Sequence, residues 1–389
     1  MAHLADPHLG ARQYHRQTTA GINQREADVA QAFRLAVDGV IAAAPDLVVI
    51  AGDLFHSVRP TNAAIVFAFR QFQRLREALP DAPIVLIAGN HDTPRSVETG
   101  SILRLFEELG VDVAAEQSRR LVYPELDLAV LAVPHQALVA ERPPLRPEGS
   151  ERRQLLVLHG EIEGVFPFDR TTVEYGGAVI GLAELTPAEW SYVALGHYHV
   201  RHQVAPRAWY AGALEYVSPN LWGELADEAR HGHRSKGWLL VDLDQGTVTH
   251  QPIPAARAIV DLPPIPGEGM TAAAIDRLIG DRLAEVPGGI ADKVLRLRVY
   301  DVPRHIAREL DHAAIRGYKS EALHFNLDVR RPEIQRTVGV GAPGRRQPLP
   351  ELVREFLFRR PLPAELDREA FVRLGGELLD GVERDLAGA

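Results

Sequence analysis

Cysteine is absent from this 389-residue chain, which excludes disulfides, thiolate metal sites and cysteine nucleophiles together. Any metal must be held by His, Asp, Glu or Asn. Lysine is nearly absent too: only Lys236, Lys293 and Lys319 occur among 43 basic residues, and arginine supplies the rest. Positive charge is not in excess, because 52 acidic residues leave a net charge of −9, so no global basic field advertises a nucleic-acid partner. No apolar run approaches the roughly 20 residues of a membrane span. The opening "MAHLADPHLG" carries no basic leader, and a cytoplasmic chain without membrane association is expected. What is present is an ordinary globular composition, 46% hydrophobic and 24% charged, long enough for two or three domains.

Short aliphatic runs alternate with segments of helical period. "LVVIAGD" (47–53), "IVLIAGN" (84–90), "LAVLAVP" (128–134), "LLVLHG" (155–160) and "YVALGHYH" (192–199) have the length and branching of buried strands. Val29, Phe33, Val37, Val40 and Ile41, and then Ile65, Phe69, Phe72 and Leu79, recur at helical spacing between the early ones. The expected fold class is therefore α/β and layered.

Polar residues gather at the carboxyl ends of these runs: Asp6 and His8, Asp53 and His56, Asn90, His91 and Asp92, His159, then His197 and His199. Ligands of layered α/β sheets collect outside the carboxyl ends of the strands, so these residues are expected to converge. Gly52, Gly89 and Gly196 permit the sharp turns and close backbone approach this requires. A single such His or Asp would be explained by strand-end hydrogen bonding; five strand ends with nitrogen and oxygen donors are not. Carboxylate, amide and imidazole suit two hard-to-borderline divalent cations, and a shared carboxylate would hold them about 3.5–4 Å apart, the arrangement of two-metal phosphoester hydrolysis.

The ordered series Asp6-Pro7-His8, Gly52-Asp53, Gly89-Asn90-His91-Asp92, His159 and Gly196-His197-Tyr198-His199 resembles the calcineurin-like metallophosphoesterase superfamily. Within it, "HLGARQYHRQ…READVAQAF" (8–33), "GDLFHSVRPTN" (52–62) and "ALGHYH" followed by "YAGALEY" (210–216) look like DNA double-strand-break repair nucleases of the SbcD type, whose archaeal and eukaryotic counterpart is the meiotic recombination eleven nuclease. The resemblance implies a β-sandwich flanked by helices. It also implies that Asp6, His8 and His199 hold one manganese, that Asn90, His159 and His197 hold another, and that Asp53 bridges them. His91 would meet the scissile phosphate, with Asp92 orienting its ring and His56 assisting substrate positioning. Three departures are visible: Pro7 stands where the family has an apolar or aromatic residue, only five residues precede Asp6, which suggests a truncated first strand or a late start assignment, and Ala211 and Ala213 replace a proline and a serine.

The character of the chain changes near residue 250, at the proline-rich "QPIPAARAIVDLPPIPGEG" (251–269). The expected division is a phosphoesterase domain at 1–250, a small α+β capping and DNA-binding domain at 251–335, and a linker with a C-terminal helical pair at 336–389. In the second, Ile275, Leu278, Ile279 and Leu283 mark a helix, while Leu295, Leu297 and Val299, then Leu323, Phe325, Leu327 and Val329, mark inward strand faces, with Arg296 and Arg298 outward. "GVGAPGRRQP" (339–348) reads as a linker. Beyond it, Leu349, Leu352, Val353, Phe356 and Leu357, and then Phe371, Leu374, Leu378 and Val382, form apolar stripes. The resemblance suggests that they dock on an SbcC-type coiled-coil ATPase and that the chain is a homodimer. The "HGH" at 231–233 and His135 are expected to be structural. The function implied is a manganese-dependent DNA nuclease, exonucleolytic on duplex and endonucleolytic on single strands or hairpins. The alternatives are a general or small-molecule phosphodiesterase of the same superfamily and a mainly structural DNA-tethering subunit.

Overall fold

The computed structural model describes residues 1–94, 100–140, 142–165, 177–332, 349–360, 362 and 367–387. They fall into two compact units, Met1–Pro332 and Glu333–Ala389. The first contains two six-stranded sheets. In spatial order one sheet runs Thr247–Pro252, Gly237–Asp242, Ala2–Leu4, Val48–Ile50, Ile84–Ile87, Asp112–Ala114. The other runs His202–Ala205, Ala208–Tyr210, Tyr192–Gly196, Arg153–His159, Leu128–Val133, Arg119–Tyr123.

Alternation along the strands creates the layers. Residues one apart point to opposite faces, so Val49, Val85 and Ile87 meet Val130, Leu155, Val157 and Ala194 between the sheets. Their neighbours Val48, Ile50, Ile84 and Leu86 face outward, where the helices Gln24–Ala43 and Asn62–Ala78 cover them with Val29, Phe33, Val37, Phe72 and Leu75. Each such side chain, buried on both flanks of the sheet, contributes roughly 1.5–3 kcal/mol of transfer free energy. The result is the layered α/β fold that the apolar runs suggested, in the form of the sandwich flanked by helices that the resemblance implied. The strands Ala2–Leu4, Val48–Ile50 and Ile84–Ile87 are mutually parallel, as are Arg153–His159 and Tyr192–Gly196, which sends their carboxyl ends to common edges.

One polar side chain enters the layer between the sheets. His3, fully buried, places Nδ1 at 3.1 Å from the hydroxyl of Tyr192 in the opposite sheet. Burial pulls its pKa down to about 3, so the ring is neutral in the folded chain.

A separate core lies between residues 259 and 329. Its central strand Val294–Tyr300 pairs in parallel with Ile259–Asp261, Ile265–Pro266 and His324–Val329. The helix Ala272–Ala284 packs Ile275, Ile279 and Leu283 on Leu295, Leu297, Val299 and Phe325. Leu323 departs from the expected inward face and instead packs with Tyr216, Leu221 and Val294, at the seam with the sandwich. Arg296 and Arg298 both pair with Asp261, at 2.7 and 3.1 Å, and Arg296 also lies over Trp222. Three further contacts close the seam. Arg16 donates to the carbonyls of Ser320, Glu321 and Ala322 at the end of the helix His312–Glu321, Tyr14 stacks on His324 at 4.0 Å, and Arg257 holds Asp28 at 3.0 Å.

In the second unit the helices Leu349–Arg359 and Arg368–Ala387 pack together, with Leu357 against Gly375. Phe356, Leu374 and Leu378 of the expected stripes are 62%, 55% and 64% exposed. The linker at 339–348 and the side chains of Leu349, Leu352 and Val382 lie outside the described residues. Among the described residues no helix is long and apolar enough to cross a membrane.

His3 yields a pH signature. Its ordinary pKa of 6.5 applies unfolded and about 3 folded, so below about 6.5 the unfolded chain binds a proton that the folded chain refuses. Stability from this group is whole above that value and is lost as pH falls toward 3, by about 1.4 kcal/mol per pH unit. Urea unfolding of wild type and His3→Gln at about pH 7 and about pH 5 should show the wild type losing roughly 2 kcal/mol more on acidification. Equal losses would refute the assignment.

Candidate metal centre

The residues singled out in the sequence sit at the strand ends they were assigned to. Asp6 and His8 follow Ala2–Leu4, Asp53 and His56 follow Val48–Ile50, and Asn90, His91 and Asp92 follow Ile84–Ile87. His159 ends one strand of the second sheet, and His197 and His199 follow its neighbour. The chain needs unusual backbone there: Asp6, His8, Asp53 and His197 all have positive φ, at 51°, 48°, 50° and 101°. Non-glycine residues adopt this at a cost of order 1–3 kcal/mol each, and they do so where surrounding structure overdetermines them. Asp6 N–H donates to Gly52 O and His8 N–H to Asp53 O, which locks two ligand turns together. Pro7, without an N–H, occupies the position between those donors. Gly196 is required by packing, since a Cβ there would stand 1.8 Å from Ala51 O.

Asp6, His8 and His199 form a first group of donors and Asp53, His159 and His197 a second, each with ligand atoms within 4.8 Å of one another, and His8 groups in the same way with His56 and His91. Asn90 joins the second, its Oδ1 3.0 Å from both His159 Nε2 and His197 Nδ1. His8 Nε2 and His199 Nε2 are 3.0 Å apart in the first. Asp53 stands between the groups: its Oδ2 lies 3.3 Å from His159 Nε2 and 3.6 Å from His8 Nε2.

Asp53 also tests whether the residues suit cations. Its Oδ2 is buried and accepts no hydrogen bond among the described residues, an expensive state for a carboxylate oxygen. A cation between the two groups would satisfy it, and the all-nitrogen-and-oxygen set fits such an ion. The imidazoles are also held from behind. His159 donates Nδ1–H to Ala51 O at 2.9 Å, and His199 Nδ1 meets Ser218 Oγ at 3.0 Å, which directs each Nε2 into the site. Ser218 was not identified from the sequence, where a serine in "YVSPN" carries no signal of its own.

Burial alone would raise the pKa of Asp53, but the imidazoles of His159, His8 and His91 outweigh it and hold the carboxyl well below its usual range. His159 shows the counterpart. Burial lowers it, yet Asp53 and Asp6 push it up to about 9.

The histidine and acid flanking the ligands behave differently from expectation in one respect. His91 Nδ1 faces His56 O at 2.8 Å, and because a carbonyl only accepts, Nδ1 carries the hydrogen. That carbonyl, rather than Asp92, orients the ring. Asp92 is fully buried and accepts from Leu54 N, Phe55 N and Gly89 N at 3.0, 3.0 and 3.1 Å. It braces the Asp53 turn against the Gly89 turn; burial and the Asp53 charge push its pKa up to about 7. The role assigned to Asp92 is corrected accordingly. His56 Nδ1 is 3.2 Å from His8 Nδ1, and His56 stacks on His91 at 5.1 Å.

The "HGH" segment is no ligand set. It follows the helix Leu221–Arg230, and His233 uses Nδ1 on the Arg201 guanidinium and Nε2 on Arg201 O, both at 2.7 Å. His135 begins a short helix with its N–H on Ala88 O, and burial pulls its pKa down to about 4.

A family profile described as calcineurin-like phosphoesterase matches residues 1–212, more than half of the chain and every candidate donor position above. The chain belongs to the calcineurin-like phosphoesterase family. It is 30% identical over 205 residues to a protein named DNA double-strand break repair protein Mre11 from Sulfurisphaera tokodaii, covering 51% of this chain and 48% of that one. It is 30% identical over 207 residues to the protein of the same name from Saccharolobus solfataricus, covering 51% and 49%, and 28% identical over 250 residues to that from Methanocaldococcus jannaschii, covering 62% and 61%. The chain spans about half the length of the first two of these curated relatives.

Cation binding to this phosphoesterase site must expel the proton on His159, whose pKa of about 9 leaves it charged at neutral pH. Calorimetric titration of the metal-free chain with manganese at about pH 7.5, in buffers of different ionisation enthalpy, should show release of about one proton, with apparent affinity falling as pH falls. His159→Gln should abolish the release. Proton-neutral binding by the wild type would remove His159 from the ligand set.

Proposed function

We propose that the chain is a manganese-dependent DNA nuclease subunit acting in double-strand-break repair. The observation that carries the hydrolytic part is Asp53, a buried carboxylate with an unsatisfied oxygen between two groups of nitrogen and oxygen donors. In this reading Asp6, His8 and His199 hold one cation, Asn90, His159 and His197 the other, and Asp53 bridges them. Two such cations, when bound, supply charge neutralisation at the phosphoryl oxygens and an activated water for in-line attack.

The remaining roles belong to the protein. His91, anchored through Nδ1–H on the His56 carbonyl, lies toward the phosphodiester and, when its Nε2 also bears a proton, gives that proton to the leaving oxygen. His56, stacked on His91 and in contact with His8, keeps that ring between the ligands and the substrate. Asp92 holds the Asp53 and Gly89 turns at fixed separation through its three backbone donors.

A DNA substrate is supported by similarity to proteins named for double-strand-break repair. We assign 1–250 to the phosphoesterase domain, 251–335 to a cap that helps bind DNA, and 336–389 to a linker and helical pair. The exposed Phe356, Leu374 and Leu378 form the surface that docks an SbcC-type coiled-coil ATPase. A cytoplasmic homodimer with this partner completes the proposal. Exonuclease action on duplex and endonuclease action on single strands and hairpins are the expected modes.

The purified chain should degrade linear duplex DNA with manganese, and His91→Ala and Asp53→Ala should each lower the rate at least about 100-fold, the scale of a lost proton donor. Calorimetry should separate them, because His91→Ala retains manganese and Asp53→Ala does not. Hydrolysis of a small aryl phosphodiester alone, even with the ATPase present, would replace the DNA reading with a general phosphodiesterase. No turnover of either substrate would favour a tethering subunit.

Docking has its own test. Phe356→Ser with Leu378→Ser should abolish co-purification of the coiled-coil ATPase while the isolated chain keeps its manganese-dependent activity. Undiminished co-purification would sink the docking assignment.

A further inference from the structure

Lys236 is one of three lysines in the chain and is almost fully buried, with 6% exposure. An ammonium has three N–H donors, and here each has a partner. Nζ donates to the backbone carbonyl of His199 at 2.8 Å, to Glu228 Oε1 at 2.8 Å, and to Glu224 Oε1. It also lies 4.6 Å from the centre of the Tyr216 ring, whose hydroxyl donates to Glu228 at 2.6 Å.

The acids come from the buried face of the helix Leu221–Arg230, where positions 224 and 228 lie one turn apart. Lys236 directly precedes the strand Gly237–Asp242, which pairs with Ala2–Leu4. The ammonium therefore ties a helix and the start of a strand to a carbonyl in the turn that bears His199. That carbonyl also accepts from Ala213 N at 3.0 Å, so it is fixed from two sides, while Ser218 holds the imidazole of the same residue.

We propose that Lys236 is a positioning residue of the metal centre, which sets the backbone of His199 through its carbonyl and so aims the ring into the Asp6, His8 and His199 group. Neutralising two buried glutamates would by itself explain a buried lysine, but it does not require the third N–H to end on a ligand-bearing residue. The ammonium shape matters: a guanidinium is a planar fork and cannot send three bonds to three partners arranged around one nitrogen. The inference rests on the two-cation reading given above.

Removing the charge alone would leave Glu224 and Glu228 buried without their cation and would destabilise the chain. The informative variant is Lys236→Met combined with Glu224→Gln and Glu228→Gln, which deletes the charges together. The full chain is compared with wild type by thermal denaturation and by calorimetric titration with manganese alone. If Lys236 positions His199, the triple variant regains most of the stability lost by Lys236→Met, while one of the two manganese-binding steps stays about 10- to 100-fold weaker, the usual effect of removing a group behind a metal ligand. Recovery of both stability and affinity would overturn the proposal in favour of neutralisation alone, as would equal weakening of both steps. Tyr216→Phe provides a second measurement that does not depend on the triple variant folding. It removes a hydrogen bond from Glu228 but none from Lys236, so it should lower stability and leave manganese affinity unchanged; a matching loss of affinity would equally overturn the proposal. Absence of manganese binding by the wild type would strike the two-cation reading itself, a different result from any of these.

Discussion

Carboxylates and imidazoles packed together out of water need something to balance their lone pairs and charge, and that requirement organises one edge of this sandwich. Asp53 is the sharpest instance. One oxygen accepts from His91 N at 2.8 Å and the other is buried without a hydrogen bond. The charges of Asp53 and Asp6 push the pKa of buried His159 up to about 9, which shows how strongly this edge favours positive charge. Four positive-φ ligand residues and the crowding at Gly196 are consequences of crowding so many donors at the ends of parallel strands. The sandwich supplies the rigidity that keeps those conformations in place. Val49, Val85, Ile87 and Leu155, packed between the sheets, set how far apart the ligand-bearing ends can move.

A second set of buried charges connects this edge to the rest of the chain. Arg25 bonds Asp28, Glu215 and the carbonyl of Tyr216, and Arg257, in the connection to the second core, bonds the same Asp28. Gln13, in the turn after His8, donates to the carbonyls of Val217 and Ser218. The segment 213–218 is thus held from the first helix, from the His8 turn and through Lys236, and it carries the serine that contacts His199. Buried ion pairs are poor sources of net stability, because desolvation offsets their attraction, but breaking one partner is costly. Their value here is geometric: they connect the second core and the strand-end turns through groups that tolerate little displacement.

Much of this was legible before any coordinates. The apolar runs ending in Gly-Asp, Gly-Asn-His-Asp and Gly-His-x-His located five strand ends, and their order matched a family pattern that the profile over 1–212 bears out. The residues that steady those ligands were not legible. Ser218 meets His199 across 19 positions, Lys236 meets it across 37, and His3 meets Tyr192 across 189. A hydrogen bond between such distant positions leaves no local periodicity, and each residue type is common in other roles. Asp92 was noticed but misassigned, since its neighbour in sequence, His91, faces a backbone carbonyl while the carboxylate turns to three N–H groups.

By itself, then, the sequence determined which residues could serve as ligands and on which strand ends they stand, because strand alternation and the glycines at those ends are local properties of the chain. The tertiary structure alone decided that Asp53 lies between two donor groups, that the His56 carbonyl orients His91, and that a buried lysine ends on the carbonyl of His199. Those relations depend on how two sheets are stacked and on the helix and loops that pack beside their strand ends. Packing fixes such distances to a fraction of an ångström, and no pattern of residue types along the chain encodes them directly.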